Sequence, residues 1–161
     1  MIIRDEAAGD QSAIPRVQTL AFRGPAEAKL VDDLRRSGDV VFSLVTAEGD
    51  RILGHVLFSK LHAPVRALAL APVGVHPDFQ RRGIGSALIR TGLERARRDG
   101  WKAVFVLGDT AYYSRFGFSV EAAEGYLSCY SGEYFMMLPL GQRNILTTGH
   151  LVYPAPFELL H

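Results

Sequence analysis

The run V-H-P-D-F-Q-R-R-G-I-G-S-A-L, from Val75 to Leu88, limits what this chain can fold into more than any other. It reads as the end of a β-strand, a basic turn carrying Gly83 and Gly85, and the opening of a helix. In that helix Leu88, Ile89, Gly92, Leu93 and Ala96 share one side. Lys102–Leu107 is strand-like again, so Ala67 to Leu107 spells strand, helix, strand. That order implies two parallel strands joined by a right-handed crossover. The expected fold class is α/β in the broad α+β sense: a mixed sheet flanked by helices, with one parallel pair beside the glycine turn.

The turn carries chemistry as well as topology. The first four N–H groups of a helix have no intrahelical acceptor, and the helix dipole adds positive charge at the same end. An anion, phosphate above all, suits such a place. Gly83 and Gly85 let it approach the backbone, and Arg81 and Arg82 supply full charge at the rim. The same residues also suit an ordinary solvated turn. Two phosphate motifs are excluded. No Gly-Lys-Ser/Thr ending of a P-loop is present, and Leu88 holds the position that a dinucleotide fingerprint gives to a third small residue.

Elsewhere Met1–Arg4 reads as a short strand. Asp10 is placed to cap a helix running toward Phe22, with Pro15 in its first turn. Leu30, Val31 and Leu34 have helical spacing within Ala26–Arg36, and Gly38 stands beyond its end. Val40–Ala47 and Arg51–Lys60 are β-rich on either side of Glu48-Gly49-Asp50, a natural antiparallel hairpin. Leu61–Val65 connects to the strand Ala67–Val75. Further on, Ala111–Phe116 is expected to be a short helix, Gly117–Glu121 a strand and Tyr134–Pro139 the last strand. Outside the one parallel pair, antiparallel pairing is expected.

A chain of 161 residues, nearly half of them apolar, is expected to form one domain over 1–161, with a motif-bearing core of residues 1–140. The segment 141–161 carries Leu146, Leu151, Val152, Tyr153 and Phe157, so it should pack on the domain or on a second subunit, which leaves a homodimer open. A formal net charge of +1 argues for neither nucleic acid nor an anionic membrane surface as partner. The single cysteine, Cys129, excludes an internal disulfide and suits a reducing cytosol. M-I-I-R-D-E is no secretory signal and no apolar run reaches membrane-spanning length, so a cytoplasmic protein is expected.

Gln80-Arg81-Arg82-Gly83-Ile84-Gly85, between a strand and a helix, resembles the acetyl-CoA pyrophosphate loop of the GCN5-related N-acetyltransferases, Gln/Arg-x-x-Gly-x-Gly/Ala. Thirty residues on, Gly108-Asp109-Thr110-Ala111-Tyr112-Tyr113-Ser114-Arg115-Phe116-Gly117-Phe118 resembles that family's short helix ending Tyr-x-x-x-Gly-Phe. The order of elements from Met1 to Tyr153 is similar to one bacterial branch of small N-acetyltransferases.

The resemblance implies a GNAT-type, mostly antiparallel sheet and acetyl-CoA (coenzyme A) as cofactor. The cofactor would lie along Val73, Gly74 and Val75 and in the turn formed by Gln80, Arg81, Arg82, Gly83, Ile84, Gly85 and Ser86, with Tyr112 also against it. Backbone groups of Val73 and Val75 would pair with the pantetheine arm, one N–H facing the thioester oxygen. Pro72 cannot donate to a ladder, so it marks a bulge or a parting of strands. Tyr113 would be the general acid that protonates the departing sulfur, or else a packing aromatic. Transfer would be direct, in a ternary complex, to a primary amine of a small molecule or of a protein or peptide.

An unperturbed lysine-type amine has a pKa of ~10, so a base must take its proton. Asp109, Glu133, Glu27 and His76 qualify by residue type. Asp109 is the best placed, at the end of a strand, and it suits a helix cap equally well. Cys129 has no histidine to pair with in any recognisable pattern. The alternative function is a non-catalytic acyl-CoA-binding sensor or partner module, which would have no use for a proton donor at Tyr113.

Overall fold

A computed structural model describes residues 1–141 and 148–160. Its strands follow in hydrogen-bonded order β1-β2-β3-β4-β5-β7: Ile2–Asp5, Val40–Glu48, Arg51–Leu61, Ala67–Val75, Ala103–Leu107 and Phe135–Pro139. A separate two-stranded ribbon joins β6, Tyr126–Leu127, to β8, Gly149–His150. The helices are α1 Ala13–Phe22, α2 Ala26–Ser37, α3 Ile84–Arg98, α4 Thr110–Ser114 and α5 Val120–Ala123. The mixed, mostly antiparallel sheet with one parallel pair is the architecture expected from the strand–helix–strand order.

The chain gathers into two compact units. The first takes residues 1–59, 71–92 and the stretch from Ala155. In it β1, β2 and β3 form an antiparallel meander, registered as Arg4 opposite Val45 and Leu44 opposite Val56. The hairpin closes through Gly49-Asp50, with Gly49 at φ 60, the left-handed region glycine enters without strain. Pro15 falls in the first turn of α1, where a missing N–H costs nothing. Gly38, at φ 76, stops α2. Leu30, Val31 and Leu34 of α2 are buried, and the 3-10 turn Ala155–Leu160 packs on that helix with Phe157 buried.

One expectation fails in this unit. Asp10 does not cap α1: its carboxylate accepts from both guanidinium nitrogens of Arg4 (2.7 and 3.1 Å) and from the Ala7 N–H (2.7 Å). With both oxygens held by Arg4 and one of them also by Ala7, the carboxylate is committed away from α1. Ser12 stands at the N-cap instead, with no side-chain cap bond.

The second unit takes residues 60–70 and, as far as they are described, 93–154. Here Ala67–Ala69 pairs in parallel with Ala103–Phe105, and β5 pairs antiparallel with β7. Its core gathers Leu61, Phe105, Tyr126, Phe135, Met137 and Leu151, the Phe105 ring stacked on Phe135 at 5.5 Å and edge-on to Tyr126 at 5.2 Å.

Three expectations are corrected in the second unit. Gly117–Glu121 is no strand: Ser119 makes a single bridge to Met137, then its hydroxyl accepts from the Ala122 N–H and starts α5. A local cap overrides the weak β preference of so short a run. Phe135–Pro139 is not the last strand, because β8 follows. That last pairing, β6 with β8, is parallel rather than antiparallel. Residues 142–147 of the expected packing tail, Leu146 among them, lie outside the described residues.

Candidate active site

The parallel ladder between β4 and β5 ends at Ala69–Phe105, before Pro72. Beyond it, the N–H of His76 donates to the Leu53 carbonyl of β3 (2.8 Å). Successive N–H groups of an extended chain point to opposite edges. Those of Val73 and Val75 therefore face away from β3. Gly74 is buried between them, and Val73 and Val75 are half-buried.

The turn is tied to this strand end. Gln80 Nε2 donates to the Val75 carbonyl (2.9 Å), and His76 Nδ1 accepts from the Asp78 N–H (3.1 Å), giving His76 a cap role. Two turn residues adopt the left-handed conformation, Arg81 at φ 64 and Gly83 at φ 81. A Cβ at Gly83 would meet nothing within 4 Å, so the concave side of the turn is open. The Ala87 N–H reaches back to the Gly83 carbonyl (3.0 Å), which leaves the N–H groups of Ile84 and Gly85 in the first, unsatisfied turn of α3. Arg82 and Arg51 lie over the Phe79 ring, at 5.2 and 5.1 Å from its centre. No carboxylate pairs with Arg81 or Arg82 among the described residues. An open turn with backbone donors, a helix N-terminus and uncompensated guanidiniums fits a phosphorylated ligand.

In the second unit α4 carries Tyr112 and Tyr113. The Tyr113 ring lies on Gly108, where a Cβ would come within 2.7 Å of Cε2, and it touches Tyr112, Phe116 and Phe118 edge-on or tilted. This aromatic packing explains why glycine precedes Asp109. Burial, and secondarily the neighbouring Tyr112, pushes the Tyr113 phenol up to about 12, so it keeps its proton throughout the neutral range. Asp109 is the N-cap of α4, its Oδ1 accepting from the Ala111 N–H (2.9 Å). Of the other carboxylates considered, Glu27 sits half-buried in the first turn of α2, and Glu133 lines a small cleft with Val120, Tyr126 and Phe135. Cys129 is exposed and free. Among the described residues no His, Cys, Asp or Glu cluster could hold a metal ion, and no helix is long and apolar enough to cross a membrane.

A buried polar chain in the first unit escaped the reading of the sequence. Arg35 grips both oxygens of Glu6, the Nη2–Oε1 bond being 2.9 Å. The Ser43 hydroxyl lies 2.6 Å from Glu6 Oε1 and 2.7 Å from His55 Nε2, and Gln18 Nε2 lies 2.8 Å from His55 Nδ1. His55 and Gln18 are fully buried. Desolvation holds the His55 imidazole down at about 4, opposed by Glu6 and assisted by Arg35. The one hint in the sequence is the lone histidine inside the apolar run R-I-L-G-H-V-L-F.

Comparison with known proteins agrees with this geometry. The sequence model of the acetyltransferase (GNAT) family matches residues 13–118. The uncharacterized N-acetyltransferase YjhQ of Escherichia coli (strain K12) is 36% identical, with 92% of this chain and 90% of that protein covered. The crystal structure of the GNAT family N-acetyltransferase YhbS from Escherichia coli, in complex with CoA, is 31% identical with a TM-score of 0.89, covering 98% of this chain and 91% of that one. A GNAT family acetyltransferase from Brucella melitensis, in complex with acetyl-CoA, is 34% identical with a TM-score of 0.82, and 97% of each chain is covered.

Proposed function

The chain belongs to the GNAT acetyltransferase family, and from that premise we propose that it moves an acetyl group from acetyl-CoA directly to a primary amine of a small molecule or of a protein or peptide. The observation that carries this reading is the open, cationic turn Gln80–Ser86, set at the end of a strand whose Val73 and Val75 N–H groups face away from β3. Acetyl-CoA supplies an activated acetyl thioester together with a charged tail by which it can be held.

Arg81, Arg82, Gly83, Ile84, Gly85 and Ser86, clasped by Gln80, are assigned to the diphosphate. Val73 and Val75 are assigned to the pantetheine arm and to the thioester oxygen, where a backbone N–H stabilises growing negative charge. Donors of this type lower the barrier by roughly 3–4 kcal/mol, and side-chain substitution leaves them in place.

Tyr113 is assigned the proton for the departing sulfur. Its phenol is fully protonated at neutral pH, which suits a donor. A thiol of pKa ~8.5 also departs tolerably as an anion, so this help accelerates the reaction without being indispensable. Tyr112, edge-on to Tyr113, is assigned to packing against the cofactor. Asp109 has one oxygen committed to the α4 cap, and Asp109→Asn separates its two candidate roles because asparagine caps as well and cannot act as a base. Unchanged turnover in that variant would leave Asp109 with the cap alone.

The test is calorimetry of the whole chain with acetyl-CoA and with CoA, repeated on the Gly83→Glu, Gly85→Glu double variant. Binding that vanishes in the variant supports the assignment and opens a screen of amines by released thiol. A wild-type protein that binds neither ligand would overturn it. Binding without turnover on any amine would favour the acyl-CoA-binding module.

A further inference from the structure

The buried chain that ends at Gln18 has a direction, and it can be worked out bond by bond. Glu6 carries both prongs of Arg35, so its carboxylate is ionised and only accepts. Ser43 must then give it its single proton (2.6 Å). The Ser43 oxygen is left to accept from His55, which places the imidazole proton on Nε2 (2.7 Å). Nδ1 is therefore a bare lone pair, and Gln18 must turn its NH₂ group toward it (2.8 Å), with a weaker contact to the His55 carbonyl (3.4 Å).

Both Gln18 amide protons thus point at His55, and Oε1 has to point the other way. It is buried and has no hydrogen-bond partner. It lies against Gly74: a Cβ built there would sit 2.5 Å from Oε1, 3.0 Å from Cδ and 3.2 Å from the Ala21 Cβ. The α1 helix therefore rests on the bare Cα of residue 74, midway between the two valines whose N–H groups face away from β3. A carboxamide holds no transferable proton at neutral pH, so the chain orients groups and does not carry protons.

We propose that Gln18 is a positioning residue for acetyl transfer: aimed by Glu6, Ser43 and His55, its Oε1 contacts the Cα of Gly74 and sets how the neighbouring backbone donors meet the thioester carbonyl. This inference rests on the assignment of Val73 and Val75 made above. A Cα–H is a weak donor that suits a carbonyl oxygen and repels an NH₂ group. The direction of the amide therefore matters, and not merely its bulk. The sequence agrees: glycine stands at residue 74 because any larger residue would displace Gln18, and glutamine stands at residue 18 because a donor and an acceptor must face opposite ways.

The test reads the bound carbonyl itself. Isotope-edited infrared spectroscopy of acetyl-CoA labelled with ¹³C at the carbonyl, bound to the full chain, reports polarisation as a shift to lower frequency. In the wild type the shift should be present. In Gln18→Met, similar in shape but without the amide, most of it should disappear while the acetyl-CoA Kd stays within about threefold. The double variant Glu6→Gln, Ser43→Ala is the second, in case the first fails to fold. It removes no bulk at residue 18, but takes away both groups that hold the His55 proton on Nε2, the Ser43 oxygen at 2.7 Å and the Glu6 carboxylate at 4.0 Å. His55 can then move its proton to Nδ1 and Gln18 can reverse, so the shift should fall there too. A carbonyl frequency that is equally lowered in wild type and variants overturns the positioning role and leaves the function intact. A wild type that binds no acetyl-CoA overturns both.

Discussion

Acidifying this protein should destabilise it largely through one imidazole, that of His55. The ring is fully buried among Gln18, Ser43, Glu6 and Arg35, and its pKa is lowered from 6.5 to about 4, chiefly by burial. A lowered pKa means that the unfolded chain takes up the proton first. The stability it represents is complete above pH 6.5 and is lost as pH falls through the window down to about 4. The full span is about 3 kcal/mol, at 1.36 kcal/mol per pKa unit, and about 2 kcal/mol of it is gone by pH 5. Urea unfolding at pH 7 and pH 5 measures the loss directly. His55→Gln, uncharged at both values and able both to donate toward Ser43 and to accept from Gln18, should remove that share of the pH dependence. Other groups, among them Asp10 held low by Arg4, remain in both proteins and cancel in the difference. Equal losses in wild type and variant, or a His55 proton resonance titrating near 6.5, would refute the reasoning.

Three further outcomes follow from particular contacts. Tyr113→Phe should lower turnover by about 10²–10⁴-fold with little change in acetyl-CoA affinity, and the wild-type pH–rate profile should show no alkaline decline from Tyr113 until its phenol ionises at about 12. Gly92→Ala should cost about 2 kcal/mol by urea unfolding, because the new Cβ would overlap the edge of the Phe58 ring, itself stacked on Phe42; the overlap outweighs the ~1 kcal/mol that alanine adds to helix propensity. Arg35→Met should cost about 3 kcal/mol by stranding the Glu6 carboxylate, and adding Glu6→Gln should recover part of it, which a double-mutant cycle reads.

What the sequence made legible was whatever is written locally. The strand Ala67–Val75, the glycine turn and the helix after it stand where the apolar pattern and Gly83 put them, because period and punctuation act within a few residues. The hairpin around Gly49 and the end of α2 at Gly38 were readable for the same reason. Ser119 misled, since a five-residue run with β-type residues and a capping hydroxyl supports either element until β7 takes the backbone of Ser119 in a single bridge and α5 takes its hydroxyl. Asp10 misled because its carboxylate was spoken for by Arg4. The polar chain was illegible: Gln18 and His55 are 37 residues apart, and their pairing exists only once α1 lies on β3. Of the candidate site, the turn residues and Tyr113 could be named from spacing and resemblance, whereas the edge to which the Val73 and Val75 amides turn depends on the His76–Leu53 bond.

The aromatic ring of Phe79, flanked by Arg51 and Arg82, has a kinetic consequence. Two flexible cations are parked on one ring near the mouth of the turn before any ligand arrives, so little side-chain freedom remains to be lost on capture. Charge fixed in advance acts at a distance, and a polyanion is drawn in by the field rather than held by contacts made later. Added salt should therefore slow the association of CoA far more than it speeds release, and removing the two charges in Arg51→Gln, Arg82→Gln should blunt that sensitivity in stopped-flow traces.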